Sequence, residues 1–257
     1  MSNPAANPQP ETDQAFPTAA TAQMECLVQD LGRMYRERNE ALQEVASAHH
    51  EALLRLSRAA EFRDDDTGVH IVRMGFLAGA LATRLGQTDA HASLLRQAAP
   101  MHDVGKIGIC DAVLKKPGKL SSDERAEMNR HPEMGAEILG RSRIPLFQLA
   151  AEVALTHHER WDGTGYPNRL QGEAIPLSGR IVSVVDFFDA LTMDRCYRPA
   201  FSDQQALQML VAERGKAFDP KVVNTFVAHG AKMMALRDQV NRDQLDLTDL
   251  CGATVQL

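Results

Sequence analysis

Histidine and aspartate side chains that could bind metal ions recur in short, well-separated stretches of this 257-residue chain. They are His70, His102, Asp103, His131, His157, His158 and Asp186. Imidazole and carboxylate ligands together suit Fe, Mn, Ni or Zn, but not Ca or Mg alone. The adjacent pairs in "MHDVGK" and "LTHHE" indicate more than one ion, with an aspartate as the bridge. Two neighbouring ions activate a water between them, so the pattern predicts a centre that generates a nucleophile.

The adjacent histidines His157 and His158 impose a geometric constraint on such a centre. Neighbouring side chains on an α-helix point about 100° apart, so the pair cannot easily chelate one ion together. We expect the two rings to reach different ions of one cluster, or one ring to bind metal while the other orients a ligand.

Histidines alone are weak evidence for a metal site, because a lone histidine on a helix is more often a core or surface residue than a ligand. Two aspartates in apolar surroundings strengthen the prediction. Asp186 lies in the apolar stretch "RIVSVVDFFDAL", and Asp103 adjoins another apolar stretch. A carboxylate in such surroundings is costly to bury unless it is paired or bound to metal.

The elements that must position these residues are predicted to be helices. Apolar residues recur with the 3.6-residue period of a helix, and strand-like alternation is scarce, so the chain is predicted to be all-α. Ser121 and Glu124 form a predicted capping box at the start of one helix. The predicted helices cover about 68–86, 90–101, 122–139, 145–158, 177–193, 203–214 and 219–237.

The N-terminal part of the chain differs from this helical domain. Residues 1–20 are rich in Pro, Ala, Asn and Gln and are predicted to be disordered. Residues 21–60 form a predicted helical linker in which apolar residues alternate in steps of three and four, with Arg38 and His49 as polar interruptions. The pattern fits either a coiled coil in a homodimer or an ordinary amphipathic helix that packs on the domain.

Composition limits the partners and the compartment. The net charge of −6 argues against binding to a nucleic-acid polymer, because such proteins usually carry a basic face. Neither a signal peptide nor a membrane-spanning run is predicted, and the four scattered cysteines favour reduced thiols in a cytoplasm.

Four motifs together resemble an HD-GYP domain, a branch of the HD superfamily. They are "HDVGK", "HHERWDGTGYP", "DFFDALTMDRCYR" and "AFDP", and the similarity covers about residues 61–230. The resemblance implies an HD-superfamily helical bundle, which we assign to residues 61–237, followed by a C-terminal tail at 238–257. It also implies hydrolysis of cyclic di-GMP to pGpG, with any second cleavage giving GMP, by a cluster of two or three Fe or Mn ions.

The resemblance also implies roles for individual residues. The metal ligands of the family correspond to the seven residues named first, and an acidic ligand of the family corresponds to Asp66. Family members often have Glu there, and the aspartate carboxylate reaches roughly 1.5 Å less far. We therefore expect a firm two-ion core and a weak or absent third ion. The family's catalytic lysine corresponds to Lys106, with Asp103 also catalytic, and its substrate-binding positions correspond to Asp64, Arg195 and Arg198.

Several alternatives remain open at this point. Arg195 and Arg198 also fit a solvated basic patch, and Tyr166 fits either substrate binding or a surface for a partner such as a diguanylate cyclase or an upstream sensor. The whole domain could be a non-catalytic sensor of cyclic di-GMP, or a hydrolase of another nucleotide. Cys110 and Cys196 stand where family members commonly have Pro, and we assign them a structural role.

Overall fold

The computed structural model describes residues 15–64, 69–194, 199–246 and 249–252. Within these ranges the chain forms helices and no β-strand, which confirms the predicted all-α class. The α-helices are α1 (Ala15–Glu61), α2 (Val69–Arg84), α3 (Asp89–Ala98), α4 (Asp111–Leu114), α5 (Ser122–Met128), α6 (His131–Leu139), α7 (Pro145–Thr156), α8 (Leu177–Leu191), α9 (Asp203–Ala212), α10 (Pro220–Ala228), α11 (Gly230–Arg242) and α12 (Asp249–Gly252). Short 3₁₀ helices cover Phe62–Asp64, Ala99–Met101, Val104–Gly108 and Gly172–Ala174.

The chain divides into two compact units, residues 1–50 and 51–257. In the first unit, the described residues 15–50 all belong to α1. This helix begins at Ala15, six residues before the predicted start, so the end of the predicted disordered segment is in fact helical. The domain boundaries proposed from the sequence otherwise stay predictions.

Helix α2 is the centre of the second unit. Every residue from His70 to Ala82 on this helix is buried, including Met74 and Leu77, which are fully enclosed. Helices α3, α8 and α11 pack against it, and α7 packs against α3, α6 and α8. A helix that is apolar on all sides is stable only when neighbours surround it, which explains this central position.

Two of the predicted helices are each divided in two. The predicted helix at 122–139 breaks before His131, because Pro132 has no N–H to continue the helical hydrogen bonds but fits the first turn of a new helix. The predicted helix at 219–237 breaks at His229, which leaves the helical conformation before α11 begins. The capping box of Ser121 and Glu124 is confirmed, with both hydrogen bonds present.

The segment predicted as a C-terminal tail contributes to the core. Helix α11 continues to Arg242, and the side chains of Val240 and Leu250 are fully buried. The sequence of residues 238–257 gives only a weak helical signal, because single apolar residues among polar ones show no clear period. Among the described residues, none of the helices combines the length and apolar character that crossing a membrane requires.

The heptad positions of α1 present an apolar stripe. The side chains of Met24, Val28, Leu31, Tyr35, Leu42 and Val45 are all between 51% and 63% exposed. A continuous stripe of this kind on a long helix is typical of a coiled-coil seam.

We predict that the chain forms a parallel homodimer through this stripe. Light scattering of the full chain at tens of micromolar should give the mass of a dimer. The double substitution Leu31→Glu and Leu42→Glu should give a monomer, because it places like charges in the seam. Gln29→Glu with Gln43→Glu adds the same charge away from the stripe and should leave the dimer intact. A monomeric wild type would contradict the prediction.

Candidate metal centre

The predicted metal ligands come together from separate helices, most of them at or beside a helix end. His70 lies in the first turn of α2, His131 begins α6, and His157 follows the last residue of α7. His102 and Asp103 lie between two short 3₁₀ helices, and Asp186 lies in α8. Helix ends can converge on one point while the helix bodies pack side by side, so a shared site is geometrically accessible.

Four of the histidines are oriented by a hydrogen bond from Nδ1. In three of them the acceptor is a backbone carbonyl: Ala99 for His102 (3.0 Å), Met128 for His131 (2.8 Å) and Ala154 for His157 (2.9 Å). In the fourth, Nδ1 of His70 lies 2.7 Å from a carboxylate oxygen of Asp189. When Nδ1 carries the proton, Nε2 keeps its lone pair, and this is the tautomer that binds a metal ion.

The potential ligand atoms form two groups. One group contains Asp103, His131, His157 and His158, and the other contains His70, His102 and Asp186; within each group all ligand atoms lie within 4.8 Å of one another. The rings of His157 and His158 are 4.1 Å apart and belong to the same group. Their ligand atoms thus lie close enough to serve one ion, whereas the sequence led us to expect either two different ions or one metal ligand beside one orienting ring. The pair lies at the C-terminal end of α7, where His158 is no longer part of the helix.

The Asp103 carboxylate lies between the two groups. Its Oδ1 is 3.2 Å from Nε2 of His131 and 3.4 Å from Nε2 of His157, and its Oδ2 is 3.3 Å from Nε2 of His102. Oδ1 of Asp103 and Nε2 of His102 are buried without a hydrogen-bond partner. Buried polar atoms are rarely left unsatisfied, and a divalent cation on each side of the carboxylate would satisfy both. The donor set therefore fits bound divalent metal.

Protonation states in the first group also suit metal binding. Burial, and then the neighbouring His157, hold the pKa of His158 well below its ordinary value, so its ring is neutral. Burial opposes ionisation of Asp103, but Lys106 and His102 outweigh it and hold the pKa of this carboxyl well below its usual range. Metal ligands must be deprotonated, and the side chains of His158 and Asp103 both meet this requirement.

Lys106 lies directly beside the bridging carboxylate. Its Nζ is 2.8 Å from Oδ2 of Asp103, and the side chains of both residues are about one fifth exposed. A cation at this position borders the metal centre and still reaches solvent, so it can meet an anionic ligand.

Gly105 explains why the turn that carries Asp103 and Lys106 lies so close to α6. A Cβ atom at Gly105 would lie 1.9 Å from the carbonyl oxygen of His131 and 2.5 Å from the amide nitrogen of Gly135. No side chain fits in that space, so the glycine permits the backbone contact that places His131 next to Asp103.

The glycine-rich segment after His158 forms a loop that is fastened at both of its edges. The buried carboxylate of Glu159 accepts hydrogen bonds from the amides of Asn168 (2.7 Å) and Leu170 (3.0 Å). Amides of Trp161 and Asp162 donate to the carbonyls of Ala217 and Lys216, at 2.9 and 2.8 Å. These contacts explain why the "AFDP" segment accompanies the loop, and Glu159 is a positioning residue that the sequence did not reveal.

Tyr166 lies over the metal-ligand histidines. Its ring stacks on His158, with centroids 4.8 Å apart and planes at 26°. Gly165 allows this approach, because a Cβ atom there would lie 2.3 Å from the amide nitrogen of Arg160. The ring therefore helps to orient His158 and remains half-buried at the border of the site.

Two further carboxylates near His70 were not predicted. Asp189 is fully buried and pairs with Arg73 as well as with His70, and these bonds outweigh burial and lower its pKa to about 2. Glu61, at the end of α1, places Oε1 3.8 Å from Nε2 of His70. The apolar stretch around Asp186 was the available signal, but the more buried carboxylate is Asp189, since the side chain of Asp186 is 27% exposed.

Some predicted residues cannot be placed. Asp66, Arg195, Cys196 and Arg198, and the side chain of Asp64, lie outside the described residues. Cys110 is an exposed free thiol at the start of α4.

We predict that Asp189→Asn weakens metal binding at the His70 group. The amide nitrogen of Asn cannot accept the bonds that the carboxylate accepts, so His70 loses its tautomer constraint. Affinity for Mn²⁺ at this group should fall about 10- to 100-fold, measured by equilibrium dialysis under anaerobic conditions. Asp203→Asn, which also breaks a carboxylate–arginine pair, is the control and should bind metal normally. Equal metal affinity in both variants would contradict the assigned role.

Comparison with known proteins identifies the family and the fold. The family model described as "HD domain" matches residues 24–222. The solved structure of a cyclic GMP-AMP specific phosphodiesterase of Vibrio cholerae superimposes with a TM-score of 0.55 at 21% identity, covering 81% of this chain and 55% of that one. The likeness confirms the helical fold that the resemblance implied.

Two relatives are considerably more similar in sequence. The chain is 46% identical over 193 residues to the cyclic di-GMP phosphodiesterase response regulator RpfG of Xanthomonas campestris, covering 75% of this chain and 51% of the relative. It is 45% identical over 187 residues to the 3'3'-cGAMP-specific phosphodiesterase 2 of Vibrio cholerae, covering 73% of this chain and 36% of the relative. The chain thus spans about half or less of the length of each. Its own helices, its metal-ligand motifs and the matching family model agree: the chain belongs to the HD domain family, as its resemblance to HD-GYP domains predicts.

Proposed function

We propose that this chain is a metal-dependent phosphodiesterase that hydrolyses cyclic di-GMP to linear pGpG and thereby lowers the level of this second messenger. The observation that carries the proposal is the Asp103 carboxylate, which faces a group of imidazoles on each side and has Lys106 at 2.8 Å. Relatives named as cyclic di-GMP phosphodiesterases support the choice of substrate, although this chain spans only part of their length.

In this proposal two divalent ions would be held by the two groups. Asp103, His131, His157 and His158 would hold one ion, and His70, His102 and Asp186 would hold the other. Mixed imidazole and carboxylate donors suit Fe or Mn. Bound ions would supply Lewis acidity and an activated water for attack on phosphorus.

The residues of the chain have separate tasks in the reaction. The Lys106 ammonium neutralises the negative charge that develops on the phosphodiester in the transition state. Asp103 stays ionised and holds its position between the two groups, so the attacking group and the phosphate are aligned. The four Nδ1 hydrogen bonds keep the imidazoles in the metal-binding tautomer throughout.

Substrate contacts are proposed for residues at the border of the site. The half-buried Tyr166 ring lies at the entrance, where it could meet a guanine base or a phosphate oxygen. Asp64, Arg195 and Arg198 are proposed to bind the substrate on the strength of the family motifs.

The reaction would take place in the bacterial cytoplasm, in a homodimer, with an upstream sensor or a diguanylate cyclase as a further partner.

The hybrid dinucleotide 3'3'-cyclic GMP-AMP is the second candidate substrate. A relative named for that substrate is 45% identical to this chain, and a relative named for cyclic di-GMP is 46% identical. Sequence similarity therefore favours neither substrate over the other. Protein purified anaerobically, analysed for metal and assayed on both dinucleotides would decide between them. Faster turnover of cyclic di-GMP is expected, and no turnover of either would favour a sensor instead of an enzyme.

We predict that His102→Ala combined with Asp103→Ala abolishes hydrolysis and reduces bound metal. The double substitution removes His102 from one group and Asp103, the carboxylate between the groups, from the other. Turnover should fall by several orders of magnitude, and metal content should fall below that of the wild type. The control is His91→Ala, which removes a partly exposed histidine from α3, outside both groups of ligand atoms. Near-normal turnover and metal in the double variant would show that the site assignment is wrong.

We predict two firmly held ions per chain and a weak or absent third ion near Asp66. Metal–ligand distances tolerate only about ±0.2 Å, so the shorter aspartate should bind a further ion poorly. Asp66→Glu should raise the metal stoichiometry after anaerobic loading and increase the share of GMP among the products. The measurements are elemental analysis and chromatography of the products. Three ions in the wild type, with direct conversion to GMP, would contradict this prediction.

A further inference from the structure

The guanidinium of Arg63 is bound entirely to the segment that carries Lys106. Arg63 lies two residues after the end of α1, in the 3₁₀ helix Phe62–Asp64. It donates to the carbonyl oxygens of Lys106 (3.2 Å), Ile107 (2.7 Å) and Ile109 (2.8 Å), and to the carboxylate of Asp111 (2.7 Å). One side chain thus contacts four acceptors in a single short segment, 43 to 48 positions away in sequence.

Two of the acceptors, the carbonyls of Ile107 and Ile109, lie at the end of a short helix that supplies them with no amide donor, whereas the Lys106 carbonyl accepts from Arg63 in addition to a backbone amide. The 3₁₀ helix Val104–Gly108 ends at Ile109, whose amide donates back to Lys106. The last carbonyls of a helix have no further amide donors within it and need an external one. The planar guanidinium carries five N–H donors in a fixed arrangement, so a single arginine can satisfy several carbonyls at once.

The other side of the same turn is already fixed. Gly105 lies against the backbone of α6, so this side of the turn cannot move toward His131. Arg63 holds the far end, at Lys106, Ile107 and Ile109. These two contacts hold the backbone on both sides of Lys106, whose Nζ lies 2.8 Å from Oδ2 of Asp103.

We propose that Arg63 is a positioning residue that holds Lys106 at the phosphate-binding side of the metal centre. The inference rests on the proposed role of Lys106 in hydrolysis. Both terminal nitrogens of Arg63 donate to backbone carbonyls or to Asp111, and none of these acceptors is a proposed metal ligand. Its effect on the reaction therefore passes through Lys106, and the end of α1 becomes part of the active-site framework.

A double-mutant cycle tests this proposal on the full-length, metal-loaded protein. Arg63→Ala should lower kcat for cyclic di-GMP on the order of 10- to 100-fold, because a small misplacement of a catalytic group is costly. Bound metal and KM should change little. In the Lys106→Ala background, Arg63→Ala should have no further effect, since coupled residues are not additive. Arg63→Lys should give an intermediate kcat, because an ammonium reaches fewer of the carbonyls.

Controls separate this role from a general loss of structure. Arg55→Ala removes the same charge from an exposed position of α1 and should behave as the wild type. Hydrogen exchange of the backbone between residues 104 and 111 should be faster in Arg63→Ala and unchanged in Arg55→Ala. This second readout needs no turnover. It therefore tests whether Arg63 holds the backbone of the Lys106 segment even if the proposed substrate is wrong.

Three results would overturn the inference. The first is independent, multiplicative effects of Arg63→Ala and Lys106→Ala on kcat. The second is a loss of metal in Arg63→Ala that accounts for its loss of activity. The third is unchanged hydrogen exchange at residues 104–111. By contrast, wild-type protein that retains metal but hydrolyses neither dinucleotide would refute the proposed function. The hydrogen-exchange experiment would then still test whether Arg63 holds the Lys106 segment.

Discussion

A single carboxylate organises the site. Asp103 is largely enclosed by imidazoles on both sides and touches Lys106, so its negative charge is the point around which the segments that carry His102, His131 and His157 meet. An ionised carboxylate in such a place is unfavourable unless positive charge surrounds it. Lys106 supplies part of that charge, and bound cations would supply the rest. The two groups of ligand atoms therefore depend on one another through this residue.

The ligand side chains are held by the ends of helices and by what lies behind them. His102, His131 and His157 are each oriented by a carbonyl three residues earlier, which requires the chain to be in or near a helical turn at that point. His70 is the exception, because its orienting group is Asp189 from α8. Long-range packing of α2 on α8 thus decides whether His70 can act as a ligand, whereas the other three are oriented locally.

The loops around the centre are held in place by close backbone packing at a glycine and by hydrogen bonds to side chains. Gly105 brings the turn of Lys106 against α6, and the carboxylate of Glu159 closes the glycine-rich loop by accepting two backbone amides. Arg63 fastens the other end of the Lys106 turn to the end of α1. Preorganised groups of this kind need little rearrangement when a charged ligand binds, which favours electrostatic catalysis.

Much of this protein could be read from its sequence, because the relevant signals are local. The helical period predicts the all-α class, and the unusual pairs His102–Asp103 and His157–His158, with Asp186, identify the centre. Local patterns failed where distant contacts decide the outcome. Only the folded chain placed His157 and His158 in one group, because their positions depend on how the chain leaves α7. Only the packing of α2 on α8 made Asp189, not Asp186, the fully buried carboxylate. Arg63 and Glu159 carry no signal in the sequence, since an arginine or glutamate acquires such a role only when a backbone distant in the chain turns its unpaired carbonyls or amides toward it.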